Sequence, residues 1–335
     1  MTMKKIEALC ATCNLGRIKG TIQQVSGGLL HTMYHVCTEQ GEYAIKWLNP
    51  DIMKRPDAMQ NMINSEQIAH KFLGVVPLIA AKSFGGRHVI ESGGDCYLIY
   101  DWLEGRSIFV PEITEYHCTQ IGRILGQIHS ANAEVRGVMP NTEARGMYDW
   151  DAYLNLAGNQ QAECYHTLKQ NLDRIKQIDE TIVKYQQEIL QNQVISHRDL
   201  DPKNVMWNQG QAYLIDWEAA GYVNPFQELL EVLNYWIADK EGNYQRKHFD
   251  ALLCAYMENC KISGVNWEAV MACSFDGMLG WLEYNVKRAL GLEGSKKEDC
   301  IEGNKQAEAT IEELKKYELQ ISLLMQWIKD AIKGL

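Results

Sequence analysis

The stretch from Val194 to Glu218, V-I-S-H-R-D-L-D-P-K-N-V-M-W-N-Q-G-Q-A-Y-L-I-D-W-E, constrains this chain more than any other. Two short apolar runs, Val194-Ile195 and Tyr213-Leu214-Ile215, each lead into an acidic group: His197-Arg198-Asp199 after the first, Asp216 after the second. Between them lie Asn204, a short strand (Val205-Met206-Trp207) and an Asn-Gln-Gly turn. A tight hairpin keeps its flanks adjacent, so Asp199, Asn204 and Asp216 converge at one end of a small unit.

That trio meets the needs of phosphoryl transfer from a nucleotide. The triphosphate must be neutralised by Mg²⁺, which takes a few hard oxygen ligands and keeps several waters. Asn204 and Asp216 supply one neutral and one charged oxygen, leaving Asp199 to orient an attacking hydroxyl or accept its proton. The spacing H-R-D-L-x-x-x-N is the kinase catalytic-loop signature.

Upstream, Ile22 to Val25, Thr32 to Cys37 and Glu42 to Leu48 read as three antiparallel strands, after a short helix over 2–13. Gly27 and Gly28 lie in the first connection, where the lack of a Cβ lets backbone N–H groups approach phosphates. Lys46 alternates onto the same side of its strand as Ala44, and an inward-facing lysine needs a charged partner or ligand. Glu66, in a helix spanning Asp57 to Phe72, is the expected partner, holding the ammonium against the α- and β-phosphates. Cys96 to Tyr100 is an apolar strand, and Asp101 to Gly105 turns out of it.

The motif ends in Ile215-Asp216-Trp217-Glu218, where protein kinases have Asp-Phe-Gly; no Ala-Pro-Glu follows, and Asp201 stands where protein kinases have a lysine. With Ser26-Gly27-Gly28, Ala44-Ile45-Lys46, Glu66 and Leu125-Gly126-Gln127-Ile128-His129, this chain resembles the aminoglycoside phosphotransferase and choline kinase family over roughly residues 20 to 240. The resemblance implies an α+β, bilobed protein-kinase-like fold: an N-terminal antiparallel sheet lobe with a helix (1–101), a hinge (102–106), and a larger, mainly helical catalytic and acceptor-binding lobe (107–335). It also implies a nucleotide base bonded to backbone groups from Tyr100 to Leu103, a scaffold role for His197 beneath Asp216, and late helices walling the acceptor pocket.

The expected activity is transfer of the γ-phosphate of ATP or GTP, with Mg²⁺, to a hydroxyl of a small acceptor such as an aminoglycoside, choline-like amine, amino alcohol or sugar. Asp201 and Glu218 near the site, and Trp281, Glu283 and Tyr284 on a late helix, form a carboxylate and aromatic set suited to a cationic acceptor. A non-catalytic nucleotide-binding scaffold is the alternative. The intact Lys46, Glu66, Asp199, Asn204 and Asp216 weigh against it, just as the missing Ala-Pro-Glu weighs against a protein kinase.

Composition narrows the partners. A formal charge of −10 speaks against a general nucleic-acid binder, and 46% hydrophobic residues with nine tryptophans supply a packed core. Ten cysteines without a framework fit reduced thiols in a cytoplasm, and Cys10-Ala-Thr-Cys13 is a lone pair. No apolar run reaches the length of a membrane span, and the chain is expected to be a soluble monomer or dimer.

In the second half, helices are expected over Glu115 to Ser130, Gln161 to Leu190, Phe226 to Tyr235, Tyr244 to Tyr256 and Trp267 to Leu290. Residues 131–160 and 293–304 read as loops. Leu314, Ile321, Ile328 and Leu335 recur at sevenfold spacing and mark a last helix docked on its own lobe.

Overall fold

The computed structural model describes residues 3–25, 31–293 and 297–334. The fold is mixed α+β, with an N-terminal antiparallel sheet and a mostly helical C-terminal region. Two compact units are formed: Met1–Met139, Val194–Tyr222 and Tyr235–Cys260 make one, and Pro140–Gln193, Val223–Asn234 and Lys261–Leu335 the other.

The first unit begins with α1 (Met3–Thr12), then β1 (Gln23–Val25), β2 (Thr32–Cys37), β3 (Glu42–Trp47), α2 (Pro50–Met53), α3 (Ala58–Lys71), β4 (Ile90–Ser92) and β5 (Asp95–Asp101). The strands form one five-stranded sheet in the order β1-β2-β3-β5-β4. Register places Met33 opposite Lys46, His35 opposite Ala44 and Cys37 opposite Glu42, so these six side chains share one face. The opposite face buries Tyr34, Val36, Tyr43, Ile45, Tyr97 and Ile99 against Ile6, Leu9 and Cys10 of α1. The alternation seen in the sequence therefore became a half-buried sheet.

α4 (Glu115–Ser130) packs along a later helix, Arg246–Met257, at unusually short range. A Cβ at Gly122 would sit 2.0 Å from the Leu252 carbonyl oxygen, and one at Gly126 would sit 2.7 Å from that of Tyr256. Only glycine permits this approach. His129, buried at the end of α4, bonds the Tyr256 hydroxyl at 3.0 Å, a contact that ties α4 to the later helix.

The second unit holds α5 (Trp150–Gln160) and α6 (Tyr165–Gln191). α5 falls where the sequence suggested only loop. Asp149 caps it through the Ala152 N–H, and Trp150 and Ala157 are buried, so tertiary packing outweighs the glycine-rich local signal. Its anchor is Asp179 of α6, fully buried, which accepts hydrogen bonds from Arg145 Nη1 (2.6 Å), Tyr148 N (2.9 Å) and Trp150 Nε1 (2.8 Å).

The chain returns to the first unit through β6 (Val194–Ser196), β7 (Val205–Asn208), β8 (Gln211–Leu214) and β9 (Gly221–Val223); β6 pairs with β9, and β7 with β8. α7 (Pro225–Trp236) and α8 (Arg246–Met257) follow. The helix expected over 267–290 is two, α9 (Trp267–Cys273) and α10 (Asp276–Ala289), separated where Ser274 caps α9. α11 (Lys297–Lys333) starts earlier than its heptads suggested, with Glu298 and Asp299 in its first turn favoured by the helix dipole. Its buried Leu314, Tyr317, Ile321, Leu324 and Ile328 face its own unit, where it packs on α10, α6 and α9; Leu335 lies outside the described residues.

Candidate active site

The Asp199–Asp216 segment is braced from below. His197 is fully buried; its Nε2 lies 3.0 Å from the Ile215 carbonyl oxygen, and its Nδ1 accepts the Asp199 N–H at 3.3 Å. One imidazole thus ties the start of the loop to the residue before Asp216. The Trp217 ring meets His197 edge-on at 4.7 Å and stacks on Phe72 at 5.6 Å, joining the loop to the end of α3. Trp236 Nε1 donates to the Leu200 carbonyl at 2.8 Å.

Asp201 caps a single 3₁₀ turn over Pro202–Asn204 by accepting the Lys203 N–H at 2.8 Å. That turn aims Asn204 inward, where its Nδ2 donates to the backbone oxygen of Asp199 (2.8 Å) and to its Oδ2 (2.9 Å). With the amide nitrogen so engaged, the amide oxygen of Asn204 is left as a ligand atom. Its backbone oxygen accepts the Ile215 N–H at 3.0 Å, placing Asn204 beside Asp216. Asp216 has φ 59°, a left-handed conformation uncommon outside glycine though less so for aspartate and asparagine, and strain of this kind gathers at functional sites. Asn204 and Asp216 present hard oxygen donors, a set that fits Mg²⁺.

Lys46 is 6% exposed, and its Nζ lies 3.0 Å from Asp216 Oδ1 and still closer to Glu218 Oε1. Burial on its own would lower the pKa of this ammonium; the Asp216 and Glu218 charges outweigh it and the net shift is upward. Burial likewise opposes ionisation of Glu218, but His31 and Lys46 prevail and hold that carboxyl at about 2. His31 Nε2 stands 3.5 Å from Glu218 Oε2, and His31 Nδ1 accepts the Asn49 N–H at 2.9 Å.

The expected Lys46–Glu66 ion pair does not form among the described residues. Glu66 is buried, and its oxygens accept the Ala81 N–H at 2.8 Å and the Tyr100 hydroxyl at 2.8 Å. Burial dominates and raises its pKa. Two neutral donors thus satisfy Glu66, while the more strongly charged pair takes the lysine. Gly27 and Gly28 lie outside the described residues. Leu103 is half-buried just beyond β5, where the Trp102 N–H donates to the Glu42 carbonyl at 2.9 Å.

Lys203 reaches the same loop, with Nζ 3.3 Å from Asp199 Oδ2, a contact its i+4 spacing could have signalled. His31 carried no signal, because only the tertiary fold brings it to Glu218. In the second unit, Trp281 and Tyr284 of α10 are exposed and stack at 5.6 Å. Glu283 beside them is buried and its Oε1 takes the Tyr153 hydroxyl and the Lys287 ammonium, each at 2.6 Å.

Residues 21–262 match the phosphotransferase enzyme family. The chain belongs to that family. It is 24% identical over 245 residues to the homoserine kinase of Polaromonas naphthalenivorans (strain CJ2), covering 72% of this chain and 74% of that protein. Its fold is similar to that of spectinomycin phosphotransferase, solved with ADP and spectinomycin (TM-score 0.66, 15% identity, covering 93% of this chain and 97% of the other). It is similar also to choline kinase from Cryptosporidium parvum Iowa II (TM-score 0.58, 13% identity, covering 98% and 99%). The chain is thus a small-molecule phosphotransferase of the aminoglycoside phosphotransferase and choline kinase type, an enzyme with an alcohol group as acceptor. No helix among the described residues is long and apolar enough to cross a membrane.

Proposed function

We propose that this phosphotransferase moves the γ-phosphoryl group of ATP or GTP to a hydroxyl of a small cationic acceptor such as an aminoglycoside or amino alcohol. The observation that carries this reading is the linked set Lys46, Asp216, Asn204 and Asp199 within one compact unit. Lys46 binds the phosphates, with Glu66 and Tyr100 shaping the wall behind it. Asn204 and Asp216 hold Mg²⁺, which neutralises phosphate charge when bound. Asp199 orients the acceptor hydroxyl for in-line attack and accepts its proton, while Asn204 and Lys203 keep its carboxylate in place.

In this reading, 1–101 is the nucleotide-binding lobe, 102–106 the hinge with Tyr100 and Leu103 against the base, and 107–335 the catalytic and acceptor-binding lobe. Gly27 and Gly28 approach the phosphates. Asp201 and Glu218 supply negative charge for the acceptor, and the ten free cysteines suit a reducing cytoplasm. Homoserine, named for the curated relative, is a zwitterionic amino acid that carries an ammonium and a hydroxyl, and it belongs among the acceptors to be tried.

The test is nucleoside diphosphate release by the full chain with Mg²⁺ against aminoglycosides, choline, ethanolamine, homoserine and pentoses, beside Asp199→Ala. Stimulation by one class, lost in the variant, is the expected result. Nucleotide binding with no stimulation across a widened metabolite panel would favour the scaffold alternative.

A further inference from the structure

The sheet face that carries Lys46 also carries, at its far end, three side chains of metal-binding chemistry. His35, Cys37 and Glu42 each offer one ligand atom, and these atoms all lie within 4.8 Å of one another. His35 Nε2 is 2.9 Å from Glu42 Oε2 and 3.7 Å from Cys37 Sγ. Cys37 and Glu42 are direct cross-strand partners, and His35 is two residues along β2 from Cys37, so the β-ladder fixes all three origins. The imidazole is also fixed in orientation: it stacks on Trp102 with ring centroids 3.8 Å apart and planes 16° from parallel.

We propose that His35, Cys37 and Glu42 form a site for a borderline-soft divalent cation of the Zn²⁺ class, separate from the Asn204–Asp216 oxygens and with its fourth position open to water. The distances support this. With Zn–N of about 2.0–2.1 Å and Zn–S of about 2.3 Å, a tetrahedral centre separates nitrogen from sulfur by about 3.6 Å. The observed 3.7 Å requires almost no movement of Cys37 or His35. Glu42 needs to draw back a few tenths of an ångström, and its 53% exposed side chain is free to do so.

Ligand type sets the choice of ion. Imidazole and thiolate select Zn²⁺, Co²⁺, Ni²⁺ or Cu over Mg²⁺ and Ca²⁺, which favour all-oxygen sets. On binding, the Cys37 thiol gives its proton to solvent and its sulfur lone pair to the cation, with no change of oxidation state. The cation would clamp the outer ends of β2 and β3. The Trp102 ring lies under His35 and the Trp102 N–H bonds the Glu42 carbonyl, so the clamp also reaches the start of the 102–106 segment.

The experiment titrates the full chain with Zn²⁺ by calorimetry in excess Mg²⁺, which keeps hard-oxygen sites filled, and repeats the titration with Co²⁺ to read the thiolate-to-cobalt absorption band. One ion per chain and a clear band are expected. His35→Phe, which keeps a ring on Trp102, and Cys37→Ser should each weaken binding at least about tenfold and Cys37→Ser should abolish the band. Cys254→Ser, removing an exposed thiol elsewhere, should change neither. No stoichiometric binding, or unchanged affinity in both His35→Phe and Cys37→Ser, overturns the site. Circular dichroism of each variant separates a lost ligand from a lost fold, and Glu42→Gln gives a third, surface-exposed substitution if either of the others fails to fold.

Discussion

Lys46 Nζ stands 3.0 Å from Asp216 Oδ1, a contact between residues 170 positions apart that joins β3 to the segment just after β8. Each carries the charge the other needs, the lysine buried and the aspartate partly open to solvent. Removing Asp216 therefore takes away a proposed Mg²⁺ ligand and one of the two carboxylates that meet Lys46. Asp216→Ala should weaken Mg²⁺-dependent nucleotide binding by at least about tenfold, measured by calorimetry with and without Mg²⁺. Unchanged metal dependence would contradict the assignment.

Asp199 touches Asn204 and Lys203 but holds neither strand of the hairpin together. Asp199→Ala should lower turnover by about 10²–10⁴-fold, the usual contribution of a positioned base. Nucleotide affinity should stay within a few-fold. Steady-state kinetics beside nucleotide titration read both, and a variant with most of its activity would remove Asp199 from the chemistry.

Glu66 makes its two contacts in a buried site that raises its pKa. The unfolded chain then gives up this proton first, so the stability Glu66 lends is complete below the unfolded value and falls as pH rises through the folded one. Glu66→Gln keeps an acceptor for the Ala81 N–H and, without a charge, turns an amide N–H toward the Tyr100 hydroxyl oxygen in place of the second carboxylate oxygen. Its melting temperature should gain on wild type as pH rises from acid to neutral. Glu66→Ala, leaving the Ala81 N–H unpaired, should cost about 1–3 kcal/mol.

Glu218 has the opposite sign. Its folded pKa of about 2 lies below the ordinary carboxyl value, so its contribution is present above that ordinary value and is lost as pH falls toward 2. Melting curves of wild type and Glu218→Gln should be well separated at neutral pH and converge in acid. A gap that stayed constant would show that the contacts to Lys46 and His31 do not depend on the charge.

Gly122 faces backbone, which cannot swing aside. Gly122→Ala should destabilise the chain by about 3 kcal/mol or force α4 and α8 apart, since overpacking has no flexible side chain to absorb it. Chemical denaturation measures the loss.

The β7–β8 hairpin, four of the five sheet strands and the α4 helix were legible because each is local: an alternating or threefold-to-fourfold pattern bounded by turn residues, whereas the three-residue β4 is too short to show one. α5 was not, since its glycine and asparagine content argues for loop and the helix is fixed by the Asp149 cap and the burial of Trp150 and Ala157. The break between α9 and α10 was hidden for the reverse reason: the apolar pattern runs on through Ser274 and Phe275 while the backbone does not.

The sequence alone determined which residues are proposed for the chemistry. Asp199, Asn204 and Asp216 are close in the chain, and a hairpin can bring them together in few ways. Charge pairing was decided by the tertiary structure. Lys46, Glu66 and Glu218 come from three distant segments, and which carboxylate meets the ammonium depends on what else each can bond. Ala81 and Tyr100 satisfy Glu66, so Lys46 goes to Asp216 and Glu218. Periodicity does not record such competition, because its outcome is settled by distances across the folded chain.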